Sequence, residues 1–236
     1  MRDEPAIILA ERLSKAYGNL PALRSLDLSV KPGEFVALLG ANGSGKSTLL
    51  RLLSGLSKPT GGRLRVGGWE MPGEALAVRA RIGLVAHRPL LYENLTAREN
   101  LDFYGALYGI DRRERARRIQ DSLRAFDLHK RADSLARTFS RGLKQRLSIA
   151  RATLHQPDLL LLDEPYSGLD QRAVALLDEM LAAARAEGRT IVLSTHQLTR
   201  VPPAADRALV LSRGRISFDA AIGSLDLSEI YRSASA

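Results

Sequence analysis

The chain has 236 residues, 45% of them hydrophobic, enough for one sizeable core with room for a subdomain. Its 35 basic and 26 acidic residues give a net charge of +9, which suits nucleic acid, an anionic membrane surface or simply a solvated basic face. Cysteine is absent, which excludes disulfide frameworks and thiol chemistry, and no apolar run approaches the roughly 20 residues of a membrane span.

The N-terminus carries Asp3 and Glu4 and only the brief run Ile7-Ile8-Leu9, which is not the pattern of a secretory signal. Residues 6–12 and 23–30 read as strands. In the second, Leu26, Leu28 and Val30 alternate with Asp27 and Ser29, the pattern of a half-buried strand. Tyr17, in a Lys-Ala-Tyr-Gly context, has a ring that could stack on a base or simply pack. Lys31-Pro32-Gly33-Glu34 is a turn. The apolar run 35–39 then reads as a buried strand, and residues 48–53 as the start of a helix ending near Gly55.

Between them stands Gly40-Ala41-Asn42-Gly43-Ser44-Gly45-Lys46-Ser47, followed by Thr48, which fits the phosphate-binding P-loop. Its glycines allow the backbone to wrap a polyphosphate with N–H groups pointing inward. The helix N-terminus adds partial positive charge. Lys46 supplies a point charge for the outer phosphates, and Ser47 a hydroxyl for Mg²⁺.

Pro59-Thr60-Gly61-Gly62 is a loop and residues 63–66 a strand. A further strand, 82–86, leads to His87-Arg88-Pro89. From about residue 92 to 155 the chain turns helical. Thr96-Ala97-Arg98-Glu99 is a capping box that opens a helix to about Tyr108. Asp111 opens a second, with Ala116, Ile119, Leu123 and Phe126 on one face. Its opposite face, with Arg113, Arg117, Arg118 and Arg124, reads as solvated. Ser140 opens a third, whose stripe is Leu143, Leu147, Ala150 and Leu154, closed by Gln156-Pro157. This block reads as a helical subdomain inserted in an α/β core.

Leu159-Leu160-Leu161-Leu162 is a fully apolar run, as in a buried parallel strand. It ends in Asp163 and Glu164, the Walker B arrangement that a P-loop requires. Asp163 would hold Mg²⁺, and Glu164 would activate a water as general base. Asp170 caps a helix burying Val174, Leu177, Leu181 and Ala184, with Gly188 at its C-terminal end. Residues 190–195 form a buried strand ending at His196. Strands at 208–211 and 215–218 flank a hairpin turn. The Ser/Ala tail after Tyr231 carries no pattern and is expected to be disordered.

In order along nearly the whole chain, these motifs resemble those of the ATP-binding subunits of ABC transporters. The resemblance implies a P-loop NTPase fold with an α/β core, an antiparallel β part and the inserted helical subdomain, as one domain over residues 1–236. It implies ATP and Mg²⁺ as ligands. Tyr17 matches the aromatic that stacks on adenine, and Gly40–Thr48 matches Walker A. Phe139-Ser140-Arg141-Gly142-Leu143-Lys144-Gln145-Arg146 looks like the signature motif. Ser167-Gly168-Leu169-Asp170 matches the D-loop, and His196 the switch histidine. Ser140, Gly142 and Asp170 would then serve a second anion site, far from the P-loop of the same subunit. A head-to-tail dimer would clamp each ATP between one P-loop and the partner's signature. Separate transmembrane permease subunits are implied, at the cytoplasmic face of the membrane, with no nucleic acid.

Two residues depart from the family pattern. Arg141 stands where glycine is usual, and could hinder approach to phosphate or add charge. His87 stands where a metal-ligating glutamine is usual, and a neutral imidazole can still bind a metal or orient water. Residues 83–90 and 95–101 further resemble the ATPase of the haem exporter of cytochrome c maturation. The same enzyme with a drug, lipid or polysaccharide cargo is the alternative, and a soluble member working on ribosomes or DNA a remoter one.

Overall fold

A computed structural model describes residues 6–223. The Ser/Ala tail after Tyr231 lies outside the described residues. Strands β1 (Ile8–Tyr17), β2 (Leu20–Val30), β4 (Gly61–Val66) and β5 (Trp69–Met71) form an antiparallel sheet in the order β2-β1-β4-β5. The expected first strand thus runs five residues beyond Arg12. It does so through a bulge, where Arg12 takes a left-handed φ of 48° and its N–H is satisfied by Asp27 Oδ1 at 2.7 Å.

The second sheet has the order β10-β9-β3-β8-β7-β6. Its strands are β3 (Phe35–Leu39), β6 (Ile82–Val85), β7 (Leu159–Asp163), β8 (Thr190–Thr195), β9 (Arg207–Ser212) and β10 (Arg215–Ala221). All pairs are parallel except the β9–β10 hairpin. The central strands are apolar throughout because both faces are covered. Val36, Leu38, Leu159 and Leu161 pack towards the antiparallel sheet and helix α1 (Lys46–Leu53). Phe35, Ala37, Leu160 and Leu162 pack on the other side, with Leu101, Leu147, Leu177 and Leu181. The last two belong to α6 (Gln171–Ala186), which crosses between β7 and β8.

A short helix, α2 (Ala75–Arg81), precedes β6. The helices α3 (Ala97–Leu107), α4 (Arg112–Ala125) and α5 (Arg141–Thr153) lie between β6 and β7 in sequence. Their starts are chemical. Thr96 and Glu99 form the reciprocal capping box, Asp111 accepts from the Arg113 and Glu114 N–H groups, and Ser140 accepts from that of Leu143. The arginine face of α4 is not simply solvated. Arg118 reaches back to donate to the Leu154 carbonyl at 3.2 Å and to Glu114 at 2.7 Å, because α4 packs beside the end of α5.

Candidate active site

Strands β3, β8 and β7 are neighbours, so the residues after their C-terminal ends meet at one edge of the sheet. After β3 the backbone turns through Gly40, Gly43 and Gly45, all at positive φ, into α1. Gly45 has a φ of 115°, and a Cβ there would lie 2.8 Å from the Ala22 carbonyl oxygen and 2.9 Å from Leu23 Cδ2. Only glycine lets the loop pass that close. No side chain caps α1, so its first N–H groups are left for a ligand.

Lys46 is buried, and its Nζ donates to the Gly40 carbonyl at 2.6 Å and the Ala41 carbonyl at 3.1 Å. Burial lowers its pKa below that of an ordinary lysine, while Glu164 and then Asp163 pull it upward. Ser44 is buried with its Oγ unpartnered, and its carbonyl accepts from the Gly214 N–H at 3.0 Å, which ties the loop to the β9–β10 turn.

Asp163 is buried at the end of β7, where Ser194 Oγ of β8 donates to its Oδ1 at 2.7 Å. Glu164 follows at a φ of 51°, unusual for a residue with a Cβ, and its N–H donates to the Ser194 carbonyl at 3.1 Å. Its Oε1 lies 2.8 Å from His196 Nδ1. A carboxylate only accepts, so His196 donates from Nδ1. Its Nε2 then faces the Gln197 amide nitrogen at 3.4 Å as acceptor.

A cavity of about 430 Å³ is lined by Asn42, Gly43, Gly45, Lys46, Ser47 and Thr48, and by His87, Arg141, Glu164, Ser167 and His196. An adjoining cavity of about 270 Å³ shares His87, Arg141, Glu164 and Ser167 and adds Asp163. Ser140, Gly142 and Asp170 line a separate cavity of about 300 Å³. There Asp170 caps α6 by accepting from the Ala173 N–H, and a Cβ on Gly142 would meet the Gly168 carbonyl at 2.7 Å. Tyr17, half exposed at the end of β1, is not among the residues lining the P-loop cavity. Lys15 Nζ sits 5.0 Å from its ring centroid.

Sequence reasoning put the signature stretch far from the P-loop of its own subunit. Ser140 and Gly142 do line a different cavity, but Arg141, between them, lines both that cavity and the P-loop cavity, because its long side chain crosses Gly168 to reach Ser167. Ser194 was also missed as a site residue. Strand β8 carries three hydroxyls, on Thr190, Ser194 and Thr195, and nothing in the sequence singles out Ser194.

A glycine-rich loop entering a helix, a buried lysine, and an Asp-Glu strand end backed by histidine define a P-loop nucleotide hydrolase. The family match makes the class particular: residues 23–167 match the ABC transporter family, and the chain belongs to it, as an ATP-binding subunit that hydrolyses ATP. It is 35% identical over 209 residues to the ABC transporter ATP-binding protein NatA of Bacillus subtilis (strain 168), covering 88% of this chain and 85% of that one. It is 37% identical over 210 residues to the Nod factor export ATP-binding protein I of Cupriavidus metallidurans (strain ATCC 43123 / DSM 2839 / NBRC 102507 / CH34), covering 89% and 69%. Among solved structures it is similar to the dimeric post-hydrolysis state of the ATP-binding cassette MJ0796 bound to ADP and Pi. There the TM-score is 0.86 at 28% identity, over 92% of this chain and 100% of that one.

Proposed function

We propose that ATP and Mg²⁺ bind between the P-loop and Glu164, and that hydrolysis there drives a membrane exporter. The observation that carries this reading is the convergence of Lys46, Ser47, Glu164 and His196 on one cavity. Lys46 exchanges its loop carbonyls for phosphate oxygens, and the uncapped N–H groups of α1 receive the rest of the charge. Tyr17 stacks on the adenine from the C-terminal end of β1.

The donor set fits Mg²⁺. Ser47 offers a hydroxyl and Asp163 a carboxylate with one oxygen not taken by Ser194, while His87 lines both adjoining cavities. No group of three or more His, Cys, Asp or Glu among the described residues could hold a metal alone, which suits an ion completed by phosphate and water. When bound, Mg²⁺ would neutralise phosphate charge. Glu164 takes a proton from the attacking water as the water oxygen bonds to the γ-phosphorus and the bond to the ADP oxygen breaks. His196 keeps the Glu164 carboxylate in place.

Ser140, Gly142 and Asp170 line a cavity apart from the P-loop, and they complete the site of a second copy in a head-to-tail dimer. The dimeric cassette MJ0796 supports this arrangement. In this reading the transport path belongs to separate permease subunits; no helix among the described residues is long and apolar enough to cross a membrane. The chain would sit on them at the cytoplasmic face, with no role for nucleic acid.

For the cargo, export of haem for cytochrome c maturation rests on the resemblance of residues 83–90 and 95–101, which the Ser140–Gln145 signature and Ser194–Gln197 also fit. The relative named for Nod factor export favours the broader exporter class with another cargo. An affinity pull-down from native membranes with a Glu164→Gln variant and ATP separates these. Haem-exporter membrane subunits support the narrow reading. Another permease keeps the mechanism and discards haem, and ribosomes or nucleic acid without a permease overturn the transporter reading.

A further inference from the structure

Helix α5 touches the Glu164 turn of its own subunit at two points. Gln145, buried on the first turns of α5, donates from Nε2 to the Pro165 carbonyl at 2.9 Å. Arg141, the first residue of α5, donates from Nη2 to Ser167 Oγ at 2.5 Å. The arginine lies along Gly168, where a Cβ would stand 3.0 Å from Arg141 Cδ. Between these anchors runs a tight turn. The Ser167 N–H donates to the Glu164 carbonyl at 3.1 Å, and the Leu169 N–H to the Tyr166 carbonyl at 3.2 Å.

This turn needs support. Glu164 is held at a φ of 51°, a conformation that disfavours any residue with a Cβ. Left alone, such a residue relaxes to negative φ and carries its carboxylate out of register with His196. Glycine at position 141, the usual residue of the motif, could not reach Ser167.

We propose that Arg141 is a positioning residue for Glu164. With Gln145 it forms a two-point clamp through which the signature helix fixes the catalytic turn of the same subunit. Arg141 therefore acts in cis, whatever the neighbouring Ser140 and Gly142 do for a partner. The proposal rests on Glu164 being the base of an ATPase.

The test compares full-length wild type with Arg141→Ala, Ser167→Ala, the double variant and Arg141→Lys. Steady-state hydrolysis and nucleotide binding are both measured. Arg141→Ala should lower kcat about tenfold, the scale of a modest misplacement of a catalytic group. KM for ATP should stay within about twofold, since the P-loop contacts are untouched. Ser167→Ala should match it, the double variant should fall no further, and Arg141→Lys should restore part of the loss. Multiplicative losses in the double variant, an unchanged kcat, or a loss confined to KM would each overturn the clamp.

A second measurement does not depend on turnover. In nucleotide-free protein, amide hydrogen exchange at Ser167 and Leu169 should accelerate in Arg141→Ala while α5 stays protected. Unchanged exchange there sinks the proposal even if activity falls. A wild type that neither binds nor hydrolyses ATP removes the ATPase reading itself and this proposal with it. A wild type that turns over normally beside uncoupled variants removes the clamp alone.

Discussion

His196 and Glu164 meet across the ends of two adjacent parallel strands, with Nδ1 2.8 Å from Oε1. The contact is made within one subunit. The carboxylate is therefore oriented before any partner arrives. Glu164→Gln should lose hydrolysis by at least about a hundredfold, the scale of a general base, and keep nucleotide affinity. With saturating ATP the same variant should run as a dimer on size exclusion. A strictly monomeric profile would count against the head-to-tail arrangement.

His87 stands exposed where two cavities join, beside Glu164 and Ser167. If it takes the place of the family's glutamine, His87→Ala should lower ATPase activity coupled to the permease, and His87→Gln should retain it. Coupled turnover unaffected by His87→Ala would mark the residue as a plain loop histidine.

Gly45→Ala should abolish ATP binding. The added Cβ meets the Ala22 carbonyl at 2.8 Å in a backbone conformation that alanine avoids. The strain should also lower stability by about 1–3 kcal/mol. Isothermal titration and chemical denaturation read the two effects separately. Tight binding with an unchanged denaturation midpoint would contradict the loop geometry.

His155 stacks on Tyr108, with ring centroids 3.7 Å apart, and its Nε2 faces the Ile82 carbonyl at 3.2 Å. Burial lowers its pKa to about 4, from the ordinary histidine value of about 6.5. The sign follows from proton counting. Between these values the unfolded chain binds a proton that the folded chain refuses, so stability falls as pH drops from about 6.5 to about 4. The loss is on the order of 2–3 kcal/mol. His155→Phe keeps the stacking and should flatten this part of the curve in urea melts taken across the window. An equally steep curve would show that other groups carry it.

Asp206 accepts from the Phe35 N–H at 2.9 Å and pairs with Arg185, at the start of the central strand β3. Its hydrogen bond with Arg185 is the main cause holding its pKa below the ordinary aspartate value. Its contribution is thus full above the unfolded pKa and is lost as pH falls through the lower folded one. Asp206→Asn should cost about 1 kcal/mol at neutral pH and nothing in strong acid. A constant difference at all pH values would refute this assignment.

The elements with local chemistry were legible in the sequence. Thr96, Asp111, Ser140 and Asp170 announce helix starts because a cap is read within four residues, and each caps in the fold. The runs at β3, β7 and β8 are unmistakable because both faces are buried. The segment Trp69–Arg81 was not read. Its strand has three residues and its helix buries only Val78, too little periodicity for any pattern. Arg151 lies on α5, and nothing local in the sequence marks it. In the fold it is buried, lies over the Tyr104 ring and donates to the Leu84 carbonyl, a distant partner that no spacing reveals. The reach of Arg141 to Ser167 was hidden for the same reason, being 26 residues apart in sequence.

The strand order also sets a timetable. In space β8 lies between β3 and β7, yet in sequence it follows both. A growing chain that has emerged only as far as Gly188 carries the P-loop and both acidic residues, but nothing joins their strands. Ser194 is missing from Asp163, and His196 from Glu164. Only β9 and β10 follow the strand that closes the middle of the sheet, so a chain stalled or truncated before β8 is left with the parts of an ATPase and no active site.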